Sequence, residues 1–292
     1  EYTNAKSFFS EEDFNKLYPL IQDSLYPVIP KGTAFPTPAI KPVAPASADS
    51  LYFQWKDSAR IQPVKTDKDN GSNNWVAGGM KTRSGRPILC NDPHLGLNLP
   101  SLWYEMQITT KHINVYGVSF PGAPTVIIGF NDSIAWGVTN AARDVRDYYR
   151  IRFKDPSHTE YFFNDEWQKA TLQTETYLIK GGEIFQETVA YTVFGPVMYD
   201  ENYSGAGRVE HGESLAVQWK AHEGSNELKT FYLLNTSANY LDYLAAIRDY
   251  KCPGQNFVFA GKNGDIAIWQ QGQFPAKWKR QGDFIMPGTD SS

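Results

Sequence analysis

Two short segments carry residue types that can do chemistry. Ser72 follows Gly71 at the head of Gly-Ser-Asn-Asn-Trp (71–75), and Asn-Asp-Pro-His (91–94) comes soon after. If Gly71–Ser72 is a point of self-cleavage, Ser72 becomes an N-terminal residue. Its hydroxyl can then act as nucleophile and its own amine as base, with no separate histidine base. A free α-amine titrates near ~7.7–8.0, so a small shift poises it at neutral pH, whereas the same nitrogen in a peptide bond is not basic. Read alone, a Gly-Ser pair is more often a turn, and His94 more often a satisfied loop or core histidine. Asp92 and His94 invite a metal reading, but no second histidine sits at ligand spacing, which argues against catalytic zinc.

The elements that must hold these residues read as mixed, with strands dominant. Ser10 can cap a helix reaching to about Asp23, with Phe14, Leu17, Tyr18 and Ile21 on one stripe and Pro19 set to kink it. Residues 27–48 are rich in proline and alanine, which predicts extended chain, and 65–71 is charged and turn-rich. Beyond Ser72 the pattern is short strands: 75–78, 87–90, 114–120, 125–130 and 133–139. A hairpin over 171–179 and 183–193 is closed by Gly181-Gly182. Helices are expected over 226–234 and 240–250, then a second hairpin over 257–260 and 266–269. The order helix, linker, β-rich body, helix pair, hairpin predicts an α+β fold.

Composition narrows the function classes. The 292 residues suffice for one large domain or two ordinary ones, and 41% hydrophobic with 21% charged residues supports a substantial core. Aromatics at 14% favour sheets and aromatic-lined pockets. A net charge of -4 leaves no electrostatic footprint for nucleic acid, and no apolar stretch is long enough to span a bilayer. Cys90 and Cys252 are far apart; they can pair, with two free buried thiols the preferred reading, and their spacing fits neither a metal nor a redox motif. The chain has no signal peptide, opens without Met and ends abruptly, so it reads as part of something longer or a processed form.

An ordered set of segments adds a resemblance. It comprises Ser72-Asn-Asn-Trp-Val, Ser84-Gly-Arg-Pro-Ile-Leu-Cys-Asn-Asp-Pro-His-Leu, Trp103-Tyr, Phe120-Pro-Gly-Ala-Pro, Gly129-Phe-Asn, Ile134-Ala-Trp-Gly-Val-Thr-Asn, Asp144 to Asp147 and Gly254-Gln-Asn-Phe-Val-Phe-Ala. Together these resemble the penicillin acylase family of N-terminal nucleophile hydrolases, over roughly residues 1–288. The resemblance implies part of an αββα sandwich made from a self-cleaving precursor. Residues 1–43 then correspond to the end of the small subunit, 44–71 to a spacer, and 72–292 to the start of the large subunit. It further implies a periplasmic or secreted bacterial protein. Its partners would be a small N-acyl amide substrate and the remaining segments of both subunits, without which the isolated chain is expected to be inactive.

The roles implied are specific. Ser72 is the nucleophile, cleaved from Gly71. Asn256 offers its side-chain amide, and Asn140 its backbone N–H, to the tetrahedral oxygen; read alone, Asn256 is a strand-start amide. His94 orients the nucleophile or its amine. Lys277 falls where the family tends to have an arginine bracing the oxyanion asparagine, and lacks arginine's planar fork. Leu95, Ile128, Trp136 and Val138 fall at acyl-pocket positions and favour an apolar acyl group. Asp144, Arg146 (through its carbonyl) and Asp147, with Glu1, align with ligands of a structural calcium; read alone, the 144–147 segment is a solvated turn with an Asp–Arg pair. The expected activity is removal of an apolar acyl group from an amide, including N-acyl homoserine lactones and β-lactam side chains. A non-catalytic carbohydrate- or peptide-binding β-domain is the competing class.

Overall fold

A computed structural model describes residues 8–19, 32–34, 37, 39–45, 71–96, 98–200 and 213–290. Glu1 and most of the segments read as linker and spacer lie outside them. In chain order the elements are α1 (Glu11–Leu17), β1 (Gly71–Ala77), β2 (Ile88–His94), β3 (Tyr104–Thr109), β4 (Asn114–Ser119), β5 (Ile128–Asn131), β6 (Ile134–Asn140) and β7 (Arg146–Ile151). There follow β8 (Glu160–Phe163), β9 (Glu166–Lys169), β10 (Thr171–Leu178), β11 (Ile184–Thr192), β12 (Gly195–Tyr199), β13 (Ser214–Trp219), α2 (Glu227–Thr236), α3 (Tyr240–Ile247), β14 (Gln255–Gly261), β15 (Ile266–Gln271) and β16 (Met286–Pro287). This is the α+β composition expected. The chain divides into two compact units, one drawing on Glu1–Val64, Arg146–Trp219 and Ala276–Ser292, the other on Lys65–Val145 and Lys220–Pro275.

In the first unit, strands order as β10-β11-β12-β13-β7-β16. Ser10 caps α1 by accepting from the Asp13 N–H, and Phe14 is the helix's buried residue, packed with Tyr149, Phe194, Phe284 and Met286. The helix stops at Leu17, before Pro19, where the sequence suggested a kink; its expected continuation beyond Pro19 lies outside the described residues. The β10–β11 hairpin is closed by Gly181 and Gly182 at φ 116° and 93°. Both glycines occupy the left-handed region that a side chain disfavours, which is why this turn is readable from sequence.

The second unit holds the residues of chemical interest. Its six-stranded sheet runs β15-β14-β6-β5-β4-β3, and α2 and α3 cover one face. Asn226 and Asn239 cap these helices by accepting backbone N–H bonds one turn in. Trp136, Phe257 and Phe259 project from β6 and β14 into a core shared with Phe231, Leu234, Tyr243 and Tyr250. Burying each large apolar side chain contributes about 1.5–3 kcal/mol. Asn235, on α2, is buried and bonds the Val126 backbone through both amide atoms, accepting at 2.9 Å and donating at 2.8 Å.

The opposite face carries the antiparallel β1–β2 hairpin. Strand partners across a ladder share a face, so Gly137 and Val258, Thr139 and Asn256 point away from the helices. At Gly137 an added Cβ would lie 2.4 Å from Asn91 Oδ1, so glycine is what lets the hairpin approach. The pairing of β5 with β6 ends at Trp136. The Val138 peptide therefore meets an open edge, and Asn91 closes it, its Oδ1 accepting from Val138 N–H at 2.7 Å and its Nδ2 donating to Val138 O at 3.1 Å. Asn74, paired with Asn91 in the hairpin, donates to the Asn256 carbonyl at 2.9 Å.

Two outcomes follow from these anchors. Asn235→Ala strands a buried N–H and C=O and should lower unfolding stability by about 2–4 kcal/mol in urea titration. Gly137→Ala should lift the hairpin off the sheet, so that activity falls about tenfold or more even where the melting temperature moves little, as side-chain placement tolerates shifts of well under ~1 Å.

Candidate active site

Alternation along β1 decides where Ser72 points. Ser72, Asn74 and Val76 are the half-buried positions of the strand's first six residues, and Gly71, Asn73 and Trp75 the exposed ones. Because Asn74 reaches the sheet, Ser72 does too. The hairpin's position along the sheet is also fixed. Leu89 shares a cavity wall with Ile134 and Ala135, and Asn91 bonds Val138. The next step on that face sets Ser72 and its partner Pro93 at the level of Asn140. Ser72 Oγ donates to the carbonyl oxygen of Gly71, the residue it would be cut from.

Both expected oxyanion donors sit at this end. In an antiparallel ladder, peptide groups turn alternately toward and away from the partner strand. Val138 N–H turns away from β14 to Asn91, so Asn140 N–H, two residues on, turns to the same open edge. The Asn256 amide lies beside it, donating to Asn140 O at 3.1 Å and Thr139 Oγ1 at 3.2 Å. To donate to a substrate oxygen, Asn256 must release one of these. Its Oδ1 accepts from Gln270, directly across β15, at 3.1 Å, and Gln270 Oε1 accepts from Arg143 Nε at 2.7 Å. Asn140 Oδ1 takes the Ala142 N–H at 2.8 Å, and Ala142 sits at φ 49°. This turn places Arg143 over the Phe274 ring, 5.5 Å from its centroid.

Glu227, at the start of α2, holds the approach to β14 by accepting from Lys251 and Cys252 backbone N–H groups at 3.3 and 3.1 Å. Burial raises its pKa, but the Ser225 hydroxyl and these backbone donors outweigh it and hold the carboxyl below its usual range. Cys90 and Cys252 are free and half-buried rather than buried; burial, then the neighbouring Glu227, pushes the Cys252 thiol up.

His94 falls on the hairpin's outer face, with Gly71, Asn73 and Asp92, and so not on the side of the Ser72 hydroxyl. Its Nε2 pairs with Asp92 Oδ2 at 2.7 Å and lies 3.4 Å from Asn73 Nδ2. Its ring borders Gly71, whose added Cβ would be 3.7 Å from Nδ1, so it stands beside the Gly71–Ser72 segment.

The remaining expected residues are placed differently. Lys277 Nζ bonds Asp147 Oδ1 at 2.7 Å, with both side chains largely buried, while the carbonyl oxygen of the Asn256 amide rests on Gln270. The brace for Asn256 thus comes from the adjacent strand, which no motif in the sequence marks. Arg146 and Asp147 belong to β7 rather than to a turn, and the Arg146 guanidinium lies near the Tyr148 and Trp219 rings. The residues present do not fit a calcium ion: Asp147 already holds an ammonium, and among the described residues no three His, Cys, Asp or Glu side chains converge.

Of the acyl-pocket set, Trp136 is fully buried with its indole N–H donating to Ile127 O at 2.9 Å, which makes it a core residue. A buried indole needs that acceptor, and the residue just ahead of β5 supplies it. Ile128 and Val138 lie at the core margin and Leu95 is exposed. Two cavities, of 620 Å³ in the first unit and 470 Å³ in the second, are lined by other residues. Among the described residues no helix is long and apolar enough to cross a membrane.

Comparison with known proteins places this geometry. The penicillin amidase profile matches residues 2–292. An acyl-homoserine lactone acylase of Pseudomonas aeruginosa is 30% identical over 75% of this chain and 26% of its own length. A penicillin acylase 2 proenzyme of a Pseudomonas species is 30% identical over 75% of this chain and 27% of its own, and the Escherichia coli penicillin G acylase 24% identical over 75% and 25%. The chain thus spans about a quarter of the length of these relatives. A thermostable penicillin G acylase from Alcaligenes faecalis has the same fold over 74% of this chain and 38% of its own, with a TM-score of 0.64 and 23% identity. With a profile that matches nearly its whole length and a shared α+β fold, the chain belongs to the penicillin amidase family.

Proposed function

We propose that the protein is an amidohydrolase that removes an apolar acyl group from an amide through an acyl-enzyme on Ser72. The observation that carries this reading is the placement of three groups. The hairpin's register carries the Ser72 side chain toward the end of β6 that holds Asn140, where the Asn256 amide donates to the Asn140 carbonyl. Family membership and this placement favour an acylase over a non-catalytic binding domain.

Cleavage of Gly71–Ser72 converts an amide nitrogen into an amine. That amine takes the proton from Oγ, directly or through a water, as Oγ attacks the substrate carbonyl carbon. Negative charge moves to the carbonyl oxygen, where Asn140 N–H and Asn256 Nδ2 stabilise it. The C–N bond then breaks, the Ser72 ammonium returns its proton to the departing amine, and an ester on Ser72 remains. Water repeats the sequence and releases the acid. A single oxyanion donor lowers such a barrier by about 2.7–4 kcal/mol. His94, beside Gly71 and held by Asp92, is suited to orient the new amine rather than the hydroxyl. Export from the cytoplasm belongs to the same proposal, as do the remaining subunit segments as structural partners.

The relatives are acyl-homoserine lactone and penicillin acylases, which favours an apolar acyl group held in a pocket; Val138, cross-strand from Phe257, packs the core and is not its lining. Long-chain N-acyl homoserine lactones and N-acyl β-lactams both present such a group, and a methylene in such a pocket discriminates by only about 1–3 kcal/mol. A panel of acyl amides of graded chain length, assayed with the full-length protein, should show kcat/KM rising with chain length to a maximum. A preference for short polar acyl groups would contradict the apolar pocket.

Ser72→Ala in the full-length precursor should abolish both turnover and cleavage, while the unmutated protein yields a chain beginning Ser-Asn-Asn-Trp. Turnover by a protein whose residue 72 is still joined to Gly71 would refute the mechanism. The base must be neutral to act, so kcat/KM should fall about tenfold per pH unit below the amine's pKa, near ~7–8, and blocking the amine by acetylation should remove activity.

A further inference from the structure

We propose that Arg143 and Gln270 are positioning residues that set which end of the Asn256 amide faces the reacting carbonyl. This rests on the acylase reading above and adds a residue chain to it. An asparagine amide has a donor end and an acceptor end of nearly the same shape. Only the NH2 end stabilises an oxyanion; the C=O end would repel it. A glutamine partner cannot by itself decide the matter, because it can turn either end toward its neighbour.

Arg143 breaks that symmetry. A guanidinium has donors and no acceptor. Gln270 must therefore give Arg143 its Oε1, accepted here from Nε at 2.7 Å. Its NH2 is then left for Asn256, whose Oδ1 accepts at 3.1 Å. The Asn256 NH2 is thereby turned to the Asn140 carbonyl, beside the Asn140 N–H. The relay is built on rigid parts. Asn256 and Gln270 are direct cross-strand partners. Arg143 is carried by the turn that Asn140 closes on Ala142, and its guanidinium lies over Phe274. Phe274 in turn packs on Gly254 and Gly272, where added Cβ atoms would be 2.6 and 2.9 Å from its ring.

The decisive variant is Gln270→Glu, which keeps size and shape but presents only acceptors. It retains Arg143 and sets an acceptor against Asn256 Oδ1, drawing the NH2 away from the Asn140 carbonyl. The test uses the full-length protein expressed as two chains, the second beginning at Ser72, so that self-cleavage is not required. The expected result is a fall in kcat of about 100-fold or more, with KM within about threefold and an unchanged melting temperature, since the lost interaction exists only in the transition state. Adding Asn256→Ala to Gln270→Glu should cost little more. Arg143→Glu should reproduce the loss and Arg143→Lys, still a pure donor, should restore most of kcat; this pair decides the matter if Gln270→Glu does not fold. Gln270→Glu with kcat within about threefold of the parent, a loss confined to KM, or equal behaviour of Arg143→Glu and Arg143→Lys would each overturn the proposal. Ser72→Ala in the same assay tests the acylase reading separately: if it stays active, that reading fails and the relay with it.

Discussion

The docking of one hairpin onto one sheet governs everything at the candidate site. Asn91 replaces a missing strand at Val138, satisfying an N–H and a C=O that β5 leaves open. Gly137 removes the side chain that would hold the hairpin away. Buried peptide groups without partners cost about 1–3 kcal/mol each, so the pair of bonds fixes register as well as contact. A one-residue slip would swap the faces of β1, turning Ser72 outward and bringing Asn73 inward. The position of Ser72 is therefore a consequence of an asparagine and a glycine elsewhere in the fold.

The division of labour across the sheet is equally physical. One face of β6 and β14 is aromatic and meets α2 and α3; the other mixes small, apolar and polar residues (Gly137, Thr139, Asn256, Val258) and meets the hairpin. Strand alternation lets one segment do both, so Phe257 packs the core while its neighbour Asn256 faces the hairpin side. The rigid aromatic side beneath is what allows an amide on the other side to be held to hydrogen-bond tolerance.

Legibility from sequence tracked how local the determinants were. The caps of the three helices and the Gly181-Gly182 turn act within a few residues, and each element was visible. Strands β7 and β13 were not, because neither carries a clean alternation of apolar and polar residues: Arg146, Asp147 and Arg150 interrupt one, and the other is buried over four successive positions. The family resemblance marks Asp147 as a metal ligand; only the fold reveals the lysine that pairs with it. Trp136 falls at an acyl-pocket position of the family; its hydrogen-bond partner Ile127, which marks it as core, belongs to the chain just ahead of β5.

The order of segments along the chain determined the family and singled out Ser72, Asn140 and Asn256 as the candidates, since these depend on residue identity at matched positions. Tertiary structure decided which side of β1 carries the serine hydroxyl, that His94 attends the Gly71 side instead, and that Gln270 and Arg143 stand behind Asn256. Those facts follow from the register between strands distant in sequence, and register is set by pairing and close approach rather than by any residue read in its local context.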